Sequence, residues 1–159
     1  MRMSLRTDYA LRMLIYLAIF GPQPSTVQEI AENYGISRNH LLKVALSLRN
    51  MGLIFTARGR SGGIGLARAP EEINVGELVR ALGDEFPVVE CMKTEGRGCV
   101  LSPICKLKAV IREALSAYLT VFDRYTLADL VENRAELAGL LGVAKVRPVV
   151  PVGTESRRH

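Results

Sequence analysis

Residues 25–67 read STVQEIAENYGISRNHLLKVALSLRNMGLIFTARGRSGGIGLA, and this stretch decides the fold. Ser25 and Gln28 have the spacing of a capping box, and Val27, Ile30, Ala31 and Tyr34 follow at helical intervals as far as Gly35, which predicts a short helix. Only Gly35 and Ile36 separate it from Ser37, the expected cap of a further helix with Leu41, Val44, Ala45 and Leu48 facing inward and Gly52 closing it. Two helices joined by a tight glycine-containing turn read as helix-turn-helix. Beyond them Leu53 to Ala57 is β-prone, residues 58–63 form a turn, and Ile64 to Ala67 resumes an apolar strand. The result is a hairpin with a basic, glycine-rich tip. The fold class is therefore mainly α with a small β-hairpin, a winged helix-turn-helix.

Upstream, Ala10, Leu11, Met13, Leu14, Leu17 and Ala18 recur at three and four between Thr7 and Phe20, and Gly21, Pro22 and Pro24 end the pattern, giving a first helix. Downstream, Pro70 ends the wing. Asn74 with Glu77 caps another short helix that Gly83 terminates. From Ile104 to Phe122 the apolar spacing is helical over about five turns, longer than a domain of this size needs for its own core. Thr126 and Asp129 suggest a fresh cap, with Leu127, Leu130, Val131, Leu137, Leu140 and Leu141 on the apolar face. This pair of helices is expected to fold back on the first helix or to bury its stripe against a second copy. The expected organisation is a DNA-binding region over 1–83, a cysteine loop over 84–105, dimerisation helices over 106–143 and a patternless, disordered tail over 144–159.

All three cysteines fall between Cys91 and Cys105. The chain opens without the apolar run of a secretory signal, and the stretch from Leu11 to Phe20 is too short to span a bilayer, so a cytoplasmic location and no membrane partner are expected. There thiols stay reduced, and clustered cysteines point to metal or redox chemistry. Cys91, Cys99 and Cys105 are separated by seven and then five intervening residues, too wide for the paired ligands of a structural zinc site, whereas iron-sulfur clusters can be reached by wider spacings. Ser102 and Pro103 look like a cap and a first helical position, which would put Cys105 in the first turn of a helix where amide dipoles favour a thiolate. Three thiolates leave a fourth ligand open. Asp8, at the start of the first helix, is a candidate, although acidic residues are favoured there in any case and spacing alone does not choose.

Charge divides unevenly. Residues 1–68 carry nine Lys/Arg against three Asp/Glu, while residues 69–159 carry twelve against thirteen. A positive front end suits a polyanion. In helix-turn-helix docking the N-terminal residues of the second helix meet base edges, which makes Ser37, Arg38, Asn39, His40 and Lys43 the candidates, with Arg58 and Arg60 at the wing tip suited to a minor groove and its phosphates. No nucleotide-binding loop, Ser-His-Asp or Cys-His arrangement or paired catalytic carboxylates support an enzyme.

Several motifs together carry a resemblance: Arg-Thr-Asp-Tyr-Ala-Leu-Arg (6–12), Ser-Arg-Asn-His-Leu-Leu-Lys-Val (37–44), Arg-Gly-Arg-Ser-Gly-Gly-Ile-Gly-Leu (58–66), the three cysteines, and Tyr-Thr-Leu-Ala-Asp-Leu-Val (125–131). Over about residues 1–141 the chain resembles the nitric-oxide-sensing NsrR branch of the winged-helix regulator family that also contains IscR. The resemblance implies a homodimer with one cluster per protomer, [4Fe-4S] in the best-fitting case, on Cys91, Cys99 and Cys105, with Asp8 donated from the partner subunit. It also implies a repressor that leaves its DNA when nitric oxide destroys the cluster. Two positions depart from the family: the first cysteine gap is seven residues rather than the usual five, and Lys108 stands where IscR-like members have a histidine.

The expected function is cluster-dependent repression at a double-stranded DNA operator, an inverted repeat to match a two-fold dimer. An IscR-like or redox-sensing regulator with a [2Fe-2S] cluster is the alternative within the class, and a cluster-bearing electron carrier or enzyme the alternative outside it.

Overall fold

The computed structural model describes residues 3–59, 62–83, 99–101 and 104–141. Cys91, Arg60, the Ser102-Pro103 cap, most of the expected cysteine loop and residues 142–159, with the expected tail over 144–159, lie outside the described residues.

Helix α1 (Leu5–Phe20) is the hub. Ser4 caps it by accepting from the Thr7 amide at 3.1 Å, and Ala10, Met13, Leu14, Tyr16, Leu17 and Ile19 are all buried, so apolar contact surrounds most of its circumference. Helix α2 (Val27–Tyr34) ends at Gly35, whose φ of 62° is the left-handed conformation that terminates a helix and lets the chain turn straight into α3 (Arg38–Asn50). The inward residues of α3 are Leu41, Val44, Ala45 and Leu48, all buried, as the spacing predicts. Strands β1 (Ile54–Ala57) and β2 (Gly63–Leu66) pair antiparallel with Ile54 opposite Leu66 and Ala57 opposite Gly63. This is the winged helix-turn-helix fold, mainly α with one two-stranded hairpin.

The α2 cap differs from expectation. Thr26, not Ser25, accepts from the Glu29 amide, because the Ser25 main chain is engaged by the wing: its N–H donates to the Ile64 carbonyl at 2.9 Å and its carbonyl accepts from Ile64 N–H at 2.8 Å. Gly63 is needed at this junction, since a Cβ there would lie 2.6 Å from the Ser25 carbonyl oxygen.

Helix α4 (Val75–Leu82) starts at Asn74, whose Oδ1 accepts from the Glu77 amide at 3.0 Å. Helix α5 (Lys106–Asp123) packs its C-terminal end on α4 and has no fully buried residue. Cys105 is its N-cap, one position short of the expected first turn, and makes no capping hydrogen bond with its side chain. Thr126 and Asp129 do bond to one another, the Thr126 amide donating to Asp129 Oδ2 at 2.6 Å, but they open only a short 3-10 turn; the helix proper is α6 (Arg134–Leu140). This segment folds back on the head. Leu127 and Ala138 are buried, and Arg134 donates to the carbonyls of Ile19 and Gly21, which terminate α1.

Candidate nucleic-acid interface and metal ligands

Burial of Leu41, Val44 and Leu48 fixes which face of α3 is presented to solvent. Ser37, Arg38, Asn39, His40 and Lys43 are all exposed at its N-terminal end. Two of these positions are laced to α1. The His40 ring stacks on Tyr9 with centroids 6.2 Å apart and planes at 29°, and Arg6 Nη2 donates to Ser47 Oγ at 3.0 Å, whose hydroxyl in turn donates to the Lys43 carbonyl at 3.1 Å. Thus α1 braces α3 along the side that carries the candidate DNA contacts. Arg6, Tyr9 and Ser47 were not singled out by sequence reasoning, because nothing in local spacing tells which residues of α1 face α3.

At the wing, Arg58 is exposed and Gly59 has φ of 106°. The Gly62 amide closes the turn on the Gly59 carbonyl at 2.9 Å. A Cβ at Gly62 would lie 2.8 Å from both the Ala57 and Gly59 carbonyl oxygens, so the turn demands glycine while leaving the arginine side chain free to project.

Asp8 sits in the first turn of α1, and its Oδ1 accepts from Arg12 Nε at 3.1 Å. Cys99 is an exposed free thiol and Cys105 a half-buried one at the start of α5. Among the described residues no three His, Cys, Asp or Glu side chains converge on a point that could hold a metal ion, so Asp8, Cys99 and Cys105 do not form such a group. The donor chemistry nevertheless fits a cluster: both described thiols are free, and thiolate is the ligand iron-sulfur centres require.

A sequence profile of the Rrf2 family, described as "Iron-dependent Transcriptional regulator", matches residues 3–133. The chain belongs to the Rrf2 family. Its relatives include the HTH-type transcriptional regulator NsrR of Bacillus subtilis strain 168, which is 50% identical over 142 residues, covering 89% of this chain and 97% of that protein. Among solved Rrf2-like structures, T. potens IscR superposes with a TM-score of 0.68 at 29% identity, over 86% of this chain and 90% of that one. The oxidized form of Staphylococcus aureus CymR superposes with a TM-score of 0.67 at 31% identity, over 83% and 97%. As an Rrf2 protein this chain is a DNA-binding transcriptional regulator and not an enzyme. Among the described residues no helix is long and apolar enough to cross a membrane.

Proposed function

We propose that this Rrf2 regulator is a cytoplasmic homodimeric repressor whose hold on an inverted-repeat operator depends on a [4Fe-4S] cluster and is lost to nitric oxide. The observation that carries this reading is the 50% identity to the B. subtilis regulator NsrR across nearly the whole of both chains, with the three cysteines present.

Cys91, Cys99 and Cys105 would hold the cluster as thiolates, and Asp8 would complete the set from the partner subunit. Asp8 is already held by Arg12, so its carboxylate must share or exchange that ion pair to ligate. When bound, the cluster supplies iron that nitric oxide attacks. The chain supplies the rest. Ile104, Leu107, Val110 and Val121 leave apolar surface exposed along and just ahead of α5, and burying it against a second copy would form the dimer. Two heads related by a two-fold axis would each place α3 in a major groove, with Ser37, Arg38, Asn39, His40 and Lys43 toward base edges and phosphates, and Arg58 and Arg60 at the minor groove. The bound cluster would have to favour the DNA-competent geometry over the other by a coupling of roughly 1 to 3 kcal/mol, the range of most allosteric systems.

The test is iron and acid-labile sulfide content of anaerobically purified protein beside Cys99→Ala, Cys105→Ala and Asp8→Ala. The cysteine variants are expected to lose the cluster while remaining folded, and the Asp8 variant to keep cysteine ligation with an altered absorption spectrum. A variant with full iron and sulfide and an unchanged spectrum removes that residue from the ligand set. Two irons per protomer in the parent protein would favour the [2Fe-2S] reading.

A further inference from the structure

On α3, a turn of 100° per residue sets Asn39, Lys43 and Leu46 on the face opposite the buried Leu41, Val44, Ala45 and Leu48, with Leu42 on the flank beside the wing. Leu42 is 40% exposed and Leu46 54% exposed, so two leucines stand on the solvent side of a helix whose own core is already complete. Single exposed leucines need no explanation. A pair one turn apart on the face that meets DNA is different, because its neighbours limit what can cover it. Both leucines line a cleft between α3 and the wing, which also holds Arg38, Arg49 and Thr56 and has no Asp or Glu in its lining. Nor does α3 itself contain a carboxylate. Two copies meeting through this face would set cation against cation. The surface that fits must be anionic at its edges and apolar at its centre, and the major groove offers one apolar group, the C5-methyl of thymine.

We propose that Leu42 and Leu46 are specificity-determining residues that pack on thymine methyl groups in each operator half-site, beside the polar contacts of Asn39 and Lys43. This rests on the reading that α3 enters the major groove. From the sequence alone only the polar residues of α3 stand out as DNA contacts. The leucines become informative once the inward face is known, because they are then surplus to the core.

The test uses an operator selected from random-sequence duplex DNA by the full-length protein purified without oxygen. Each thymine is replaced singly by deoxyuridine, which keeps the base pair and removes only the methyl. Parent protein is expected to lose about fourfold in affinity at one thymine contacted by each leucine, the effect of burying one methyl group. Leu42→Ala should be insensitive at one of these positions and Leu46→Ala at the other, with the helical signal and the sedimentation behaviour unchanged. Asn39→Ala serves as the check on docking itself. If Asn39→Ala abolishes sequence preference but no deoxyuridine matters, or both leucine variants stay as sensitive as the parent, the methyl readout is wrong and the docking of α3 stands. If Asn39→Ala and every deoxyuridine are both silent, the docking reading fails and the proposal with it. A selected operator without a fixed thymine in either half-site, or leucine variants that dissociate the dimer, would also overturn it.

Discussion

Arg80 on α4 grips Asp123 at the last turn of α5 through both terminal guanidinium nitrogens, with Nη2 2.7 Å from Oδ2. Asn74 Nδ2 donates to the carbonyl of the same Asp123 at 2.8 Å, and the Val75 amide donates to the Tyr125 carbonyl at 3.0 Å. Among the described residues these bonds pin the C-terminal end of the long helix to α4, and so to the winged part of the chain.

The guanidinium hydrogen bond holds the Asp123 carboxyl below its ordinary range. A depressed carboxyl contributes stability that is present above the unfolded value, about 4, and is lost as pH falls through the folded value. Arg80→Ala and Asp123→Asn should each lower the thermal midpoint at neutral pH, and the double variant should fall little further than either single one. Scans from pH 7 down to 3 should show the parent and Asp123→Asn converging. Parallel curves throughout would mean that the pair contributes nothing.

Gly76 is buried where α4 meets α5. A Cβ there would strike the Asp123 carboxylate and lie 2.9 Å from the Asp123 main-chain nitrogen. Gly76→Ala is expected to destabilise by about 1 to 3 kcal/mol, the cost of overpacking, despite the better helix propensity of alanine. Urea unfolding of the two proteins measures it, and an alanine variant as stable as the parent would show that α5 can shift without penalty.

Tyr16 has no solvent exposure, yet its hydroxyl donates to Glu29 Oε1 at 3.1 Å and accepts from Asn33 Nδ2 at 3.4 Å. Burial first, and then the Glu29 carboxylate, push its pKa well above the usual value, so it remains a neutral donor. Tyr16→Phe should cost about 1 kcal/mol with the helical spectrum unchanged, read by denaturant unfolding.

Most of the head was legible because its signals are local. Gly35 as the end of α2, Asn74 as a cap and the inward face of α3 all follow from spacing and backbone preference within a few residues. What escaped depends on distant partners. Ser25 is displaced as a cap by a bridge to Ile64, thirty-nine residues on. Tyr16 and Ile19 fill the side of α1 covered from several directions, which the three-and-four pattern of its other apolar residues does not reveal. The C-terminal helix is held by Arg134 on the end of α1, a pairing invisible until the chain is folded. For the ligands, sequence placed Asp8 at a helix start and Cys105 near one; it could not show that Asp8 is paired with Arg12.

The wing predicts a particular salt behaviour. Arg58 is exposed beside a glycine turn and, as a phosphate contact, should be sequence-blind. Arg58→Ala should weaken operator and competitor DNA alike, and the slope of log affinity against log salt should become shallower by about 0.9. Loss restricted to a single base pair would instead make Arg58 a base reader.

The central claim is that an iron-sulfur centre on the cysteine segment controls the grip of the head. Operator binding should be followed by gel shift during a nitric oxide titration of protein purified without oxygen, with iron and acid-labile sulfide determined on the same sample. The account predicts coloured protein with bound iron and sulfide, tight sequence-specific binding before the titration, and binding that falls in step with loss of the cluster spectrum. Iron-free protein that binds its operator at full strength, or binding indifferent to nitric oxide while the cluster is consumed, would contradict it.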